Sequence, residues 1–221
     1  YLVVSQFVVE RSTHGVNFSP WVTLAGTARS YFDSGLALDT TYSYRVQASN
    51  ATGPSDLSNT VSSKTPTIGW NVNFANATNG QPANRPAPTP PGYVQDVGLV
   101  FTDQGNGYSY GWDRDISADG RWRESSLSPD LRYDTLVHFQ KGTPAAIWEI
   151  AIPKGFYQVH VVGGDAANTD QNYTFDIEGV ITPLIAADAS RHWGEFTKTA
   201  IVNDERLTIQ VGPNAANVKF A

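Results

Sequence analysis

Apolar and polar residues alternate in short runs along most of the chain. Phe7–Arg11, Tyr42–Ala48, Trp148–Ile152, Tyr157–Val161, Tyr173–Ile177 and Arg206–Val211 show this pattern. A period of two over five to seven residues puts alternate side chains on one face of a β-strand. No amphipathic helical stretch of ordinary length stands out. Glycine (19 residues) and proline (13) punctuate the runs often enough to supply the turns between them. Many short strands separated by turn residues predict an all-β sandwich or barrel rather than an α/β fold.

A boundary lies near Lys64-Thr65-Pro66-Thr67. Before it, the strands end in the polar run Asn50–Asp56; after it, Ile68–Phe74 begins a new apolar run. This divides the chain into residues 1–66 and 67–221. The stretch Ala75–Pro91, rich in Asn, Ala and Pro, has no periodicity and reads as a long loop. Loops of that length are often binding loops, and a packing loop over the sandwich is the other reading.

Composition narrows the chemistry. The 221 residues carry 15 Lys+Arg against 21 Asp+Glu, a net charge of -6, which argues against nucleic acid as the main partner. With no cysteine there is neither a disulfide framework nor a thiol nucleophile. No apolar run is long enough to insert into a membrane.

The first unit carries Phe7-x-Val9-Glu10-Arg11-Ser12, then Tyr31-x-Asp33. Next come Leu36-x-Leu38-x-Thr40-x-Tyr42-x-Tyr44-Arg45-Val46-x-Ala48-x-Asn50-x-x-Gly53 and Ser55-x-x-Ser58-Asn59. This pattern resembles a fibronectin type III domain, a truncated immunoglobulin-like sandwich here. The resemblance implies that Tyr42 is a tyrosine-corner residue whose hydroxyl bonds back to the preceding turn. Leu38 stands where the family usually has proline. The resemblance starts at the third strand, so the first strands have no counterpart. Truncation, a neighbouring chain supplying the strands, and docking on the second unit are the three readings of that gap.

The second unit carries Gly92-Tyr93-x-x-Asp96-x-Gly98, Phe101-x-Asp103-x-Gly105-x-Gly107-Tyr108-x-Tyr110-Gly111-Trp112 and Leu127–Leu136. It continues with Trp148-Glu149-Ile-Ala-Ile-Pro153-x-Gly155-x-Tyr157, Val161–Asp165 and Tyr173-x-Phe175-x-Ile177-Glu178-Gly179-Val180. Their order and content resemble malectin-like, carbohydrate-binding jelly-roll domains of secreted bacterial polysaccharide-active or cell-surface proteins. The resemblance implies a glycan or polysaccharide partner, a place outside the cell, and work as a non-catalytic accessory module. The parent protein is then expected to be a polysaccharide-degrading enzyme. A structural subunit of a surface assembly or fibre, built by strand complementation, is the alternative.

Sugars present apolar C–H faces and a rim of hydroxyls, which aromatic rings and fixed polar groups meet. Tyr108, Tyr110 and Trp112 share a strand face that is either core or ligand surface. Trp122, between Arg121 and Arg123, is a candidate contact because both neighbours carry charges that need water or partners. Trp193, in Arg191-His192-Trp193-Gly194-Glu195, is a candidate on the same ground. Arg132-Tyr133-Asp134 either fixes a loop, the arginine clamping a carboxylate and Asp134 accepting backbone hydrogens, or contacts sugar. His138 reads first as a structural histidine, and Trp148 as core.

Asp165, Asn168, Asp170 and Asn172 gather oxygen donors that calcium could use, although Asx-turn capping explains the same composition. Asp103, Asp113 and Asp115 form a second acidic group. No Gly-x-Ser-x-Gly, His-Glu-x-x-His or phosphate-loop motif is present, and no carboxylate pair is marked out for glycoside hydrolysis. The isolated chain is therefore expected to be non-catalytic.

Overall fold

The computed structural model describes residues 3–37, 39–65, 69–75 and 87–221. Leu38, the Pro66–Ile68 part of the boundary and most of the Ala75–Pro91 loop lie outside the described residues. The protein is all-β, and the chain divides into two compact units, Tyr1–Gly69 and Trp70–Ala221.

The first unit is one antiparallel sheet of β1 (Gln6–Ser12), β2 (Ser19–Ala25), β3 (Thr41–Asn50), β4 (Gly53–Leu57) and β5 (Val61–Lys64). The strand order is β2-β1-β3-β4, with β5 pairing the first half of β3. Phe7 stands opposite Leu24 and Ala48, and Val9 opposite Val22 and Val46, so one face of the sheet is apolar. Among its described residues this unit has no second sheet of its own, and Val9 and Tyr42 are its only buried hydrophobic residues. Polar contacts do the holding instead. Asp33 accepts from Arg11, Trp21 and Tyr44 at 2.9, 3.1 and 2.8 Å, and the Arg11 guanidinium lies over the Trp21 ring. The Tyr42 hydroxyl accepts from the Ala37 amide at 3.0 Å, tying β3 to the turn before it.

Among the described residues the second unit has fifteen strands. In chain order the first eight are β6 (Val72–Phe74), β7 (Val94–Asp96), β8 (Thr102–Asp103), β9 (Ser109–Trp112), β10 (Gly120–Trp122), β11 (Thr135–His138), β12 (Trp148–Ala151) and β13 (Gly155–Gly164). There follow β14 (Asn172–Tyr173), β15 (Phe175–Ile177), β16 (Val180–Ile181), β17 (Ile185–Ala186), β18 (Trp193–Val202), β19 (Arg206–Val211) and β20 (Lys219–Phe220). A five-stranded sheet, β10-β11-β20-β13-β18, packs against a six-stranded one, β16-β15-β19-β12-β9-β8. The alternating runs became strands, except that Tyr173–Ile177 breaks at Thr174, whose carbonyl accepts from Gly212.

Inward side chains of both sheets form one core. Val161, Phe196, Ala200 and Phe220 meet Trp112, Trp148, Ile150, Phe175 and Ile209. The last strand, β20, holds only two residues yet lies between β11 and β13. Phe220 stacks on Phe74 at 4.1 Å and meets Phe139 edge-on at 4.4 Å. Asp96 lies buried among these rings. One of its oxygens accepts from Trp112 Nε1 at 2.9 Å and the Gly98 amide at 2.7 Å, the other from Trp148 Nε1 at 2.8 Å. Burial raises its carboxyl above the ordinary aspartate range, against the pull of those three donors.

Both features can be tested by chemical unfolding. Phe220→Ala empties the centre of the aromatic cluster and is expected to cost about 3–5 kcal/mol. Asp96→Ala leaves two buried indole N–H groups without acceptors and is expected to cost roughly 2–4 kcal/mol.

Candidate functional site

Most of the aromatic residues anticipated at a ligand surface lie in the interior. Tyr110 and Trp112, on β9, point into the core, and Trp112 is fully buried. Tyr110 donates to the Gln95 carbonyl at 2.9 Å. Tyr108 is half-buried and packs against the same core. Trp122 is buried with Ala75 and Ala87 and donates from Nε1 to Asp134 at 2.9 Å. Of the two readings of the Tyr108–Trp112 face, core is the one observed for Tyr110 and Trp112, and Trp122 is buried as well rather than a ligand contact. The physical reason is the strand alternation itself. In β10 the neighbours of Trp122 face the opposite way, so Arg121 and Arg123 need not follow it into the interior.

The polar candidates are engaged within the chain. Arg121 donates to the carbonyls of Ala118 and Gly120. Arg123 grips Asp165 with two parallel bonds of 2.7 and 2.6 Å. Asp134 is buried and also accepts from the Ser125 amide and the Ser128 hydroxyl, knotting the loop between β10 and β11.

Trp193 is half-buried like Tyr108, but lies outside the core cluster. It opens β18 opposite Gly164 on β13. A Cβ on Gly164 would sit 1.8 Å from the indole Cδ1, so the ring lies flat over the space a side chain would fill. The neighbouring Gly163 and Gly194 face inward, where an added Cβ would come within 2.9 Å of the Tyr173 ring. Tyr133, in the short 3-10 turn Leu131–Tyr133, stands edge-on to Trp193 with centroids 5.6 Å apart. Its hydroxyl donates to Glu195 Oε1 at 2.9 Å, and His160 Nε2 lies 3.5 Å from Glu195 Oε2. Burial, and then the Glu195 bond, push the Tyr133 hydroxyl up to about 12. The indole N–H of Trp193 is shielded and has no hydrogen-bond partner among the described residues.

Tyr133 is singled out by the sequence only within Arg132-Tyr133-Asp134, and Glu195 and His160 not as ligand contacts. The signal was present in part, since Trp193-x-Glu195-x-Thr197 and Gln158-x-His160 alternate with apolar or glycine positions. The pairing register that sets them side by side was not legible.

A buried charge network supports this face. Lys219, opposite His138 in the ladder, points away from the core yet is 1% exposed. Its Nζ lies 3.3 Å from Asp165 and 3.4 Å from Asp170. Burial alone would raise the Asp165 carboxyl, but Arg123, the Ala167 amide and Asn168 outweigh it and hold the group at about 2. Asp165 carries the calcium expectation, and its oxygens are occupied by these cations and donors. Asp170 is likewise taken up by Asn217 and Lys219. In the other acidic group, Asp113 holds Arg114 and the Ile147 amide, and Asp115 caps Ser117. Among the described residues no acidic or histidine cluster is arranged to hold a metal ion. No described helix is long and apolar enough to cross a membrane.

No protein-family model and no curated protein matches the chain. Among solved structures, a calcium-binding mutant of Bacteroides uniformis beta-glucuronidase 2 is similar at a TM-score of 0.44 and 9% identity. The match covers 98% of this chain and 25% of that one. A Bacteroides uniformis beta-glucuronidase gives 0.40 and 10%, over 98% and 26%. A Streptomyces avermitilis alpha-L-rhamnosidase complexed with L-rhamnose gives 0.25 and 11%, over 98% and 19%. The chain thus spans about a quarter of the length of the two glucuronidases.

Two outcomes follow from this geometry. Gly164→Ala is expected to lift the Trp193 ring off the sheet, seen as a red shift in tryptophan emission without loss of strand content by circular dichroism. His138 is held neutral by burial and by Lys219, with Lys141 and Arg121 adding to the effect against Asp165, and its pKa falls from 6.5 to about 3. The unfolded chain therefore binds a proton there that the folded one does not, and stability falls as pH drops from 6.5 toward 3. The slope is at most about 1.4 kcal/mol per pH unit. His138→Gln is expected to remove that slope from a series of urea melts.

Proposed function

We propose that this chain is a non-catalytic carbohydrate-binding module of a larger extracellular protein, secreted or held at the cell surface. The observation that carries the reading is the half-exposed pair Tyr133–Trp193 with Glu195 and His160 beside it. A flat indole and a phenol edge suit the C–H face of a sugar ring, while the carboxylate, imidazole and phenolic oxygen suit its hydroxyls.

The sequence resemblances point the same way. A malectin-like reading of residues 67–221 agrees with a two-sheet sandwich, and the Tyr42–Ala37 bond supports the fibronectin type III reading of residues 1–66. One observation favours a second reading, a structural subunit completed by strand addition: among its described residues the first unit has a single sheet with an apolar face and no second sheet of its own. Self-assembly in sedimentation velocity, without sugar, would support it.

Screening on a glycan array followed by calorimetry tests the binding reading. Trp193→Ala and Tyr133→Ala are each expected to weaken glycan binding at least tenfold with unchanged melting behaviour. Trp122→Phe is expected to alter stability and not the choice of glycan. Oligosaccharide products released by the isolated chain would count against a non-catalytic module.

A further inference from the structure

We infer that the site holds one sugar unit rather than a run of them, with the Trp193 indole as its floor and the Arg191 guanidinium gripping a pair of its oxygens. The inference rests on the carbohydrate-binding reading above and goes on to how much of a glycan is held and by which cation.

The flat surface is the size of one indole. Trp193 lies against the sheet over Gly164, so one ring face is covered and the other looks outward. Two rings stand at its margin, and neither is coplanar with it. Tyr133 meets it at 82° with centroids 5.6 Å apart, and His192 at 41° and 5.5 Å. A C–H face stacks on the face of an aromatic ring, so a tilted neighbour bounds the floor instead of lengthening it. Directly opposed residues of a ladder share a sheet face. The next outward pairs along β13 and β18 are Glu195–Val162, Thr197–His160 and Thr199–Gln158, and none carries an indole or a phenol. Phe156 comes four pairs on from Trp193, roughly 26 Å away at about 3.3 Å per residue, out of range of the neighbouring sugar.

The groups around the floor are held in place. The Tyr133 hydroxyl is bound to Glu195, and the Arg132 guanidinium lies 5.6 Å over the Tyr133 ring while both of its own bonds go to Asp130. The His192 ring is fixed against the Asp165 carbonyl at 3.1 Å. Such a surface is ready for a ligand without the cost of ordering its side chains.

Arg191 differs from the other arginines. It closes the tight turn Asp188–Arg191, in which each residue's N–H donates to the other's carbonyl at 3.0 Å. Its backbone is thereby fixed, while its side chain is exposed and makes no hydrogen bond or ion pair among the described residues. At most about 7 Å of chain separates its Cα from that of Trp193, which an arginine side chain spans. The carboxylates of this region already have partners. One Asp188 oxygen accepts from the Ser190 amide and hydroxyl at 2.7 and 2.6 Å, and Glu195 is shared between Tyr133 and His160. Arg123 and Arg132 are bound to Asp165 and Asp130. The Arg191 fork is therefore the donor left for a ligand. Its parallel N–H groups match two oxygens side by side. A neutral hexose supplies these as adjacent hydroxyls, a uronate as its carboxylate.

Calorimetric titration of the intact chain tests the inference. The probes are glucose, mannose, galactose, N-acetylglucosamine, glucuronate and galacturonate, each with its homo-oligosaccharides of two to five units. At least one monosaccharide is expected to bind, and its pentasaccharide to bind no more than tenfold tighter. Added salt tells the two oxygen pairs apart, because it weakens a uronate on Arg191 and leaves a neutral hexose unaffected. Arg191→Ala is expected to weaken the binding at least tenfold, with tryptophan emission and melting temperature unchanged. A pentasaccharide more than tenfold tighter than its monosaccharide would overturn the single-unit site and leave the carbohydrate-binding reading in place. So would oligosaccharides that bind where no monosaccharide does. Binding indifferent to Arg191→Ala would overturn the part assigned to that residue. If no probe of any length binds while the fold is intact, the carbohydrate-binding reading itself fails, and this inference with it.

Discussion

Trp193 lies flat on the sheet because residue 164 has no side chain. That absence organises the surrounding structure on both faces. On the inner face, Gly163 and Gly194 leave room for the Tyr173 ring, whose hydroxyl donates to the His192 carbonyl and fixes the residue that precedes Trp193. On the outer face, the His192 ring nitrogen lies 3.1 Å from the Asp165 carbonyl, next to Gly164 in sequence. A bulky residue at any of the three glycines would push either an indole outward or a tyrosine inward. The aromatic surface and the local core are thus two results of one close approach of backbones.

The last strand couples the same faces from below. Phe220 fills the centre of the aromatic core while its neighbour Lys219 is buried beneath the outer surface with Asp165 and Asp170. Desolvating a lysine is costly unless carboxylates stand beside it, and desolvating Asp165 is offset in turn by Arg123. Arg123 directly follows β10 at the edge of the sheet and Asp165 directly follows β13, so the pair links the ends of two strands that are not neighbours in the sheet. Asp96 does similar work inside, using two indole N–H groups in place of a cation.

Much of the fold was legible in the sequence, because period-two alternation is a local property of the chain. The strands around Phe7, Tyr42, Trp148, Tyr157 and Arg206 follow from it. The site was less legible, since the same period says which residues share a face and not which face meets water. Tyr110 and Trp112 were correctly grouped and fell on the inner side. Trp122 misled for a more specific reason. Flanking arginines look like a sign of exposure, yet in a strand they project away from the residue between them. Tyr133, Glu195 and His160 come from separate elements and meet only through the pairing of β13 with β18 and the turn before β11, which no local pattern encodes.

Indole N–H resonances followed by two-dimensional NMR, during titration with a neutral oligosaccharide, separate surface from core among the tryptophans without any substitution. If glycan binds where we place it, the Trp193 resonance moves while those of Trp112, Trp122 and Trp148 stay in position. A moving Trp122 or Trp112 signal beside an unmoved Trp193 would contradict the account.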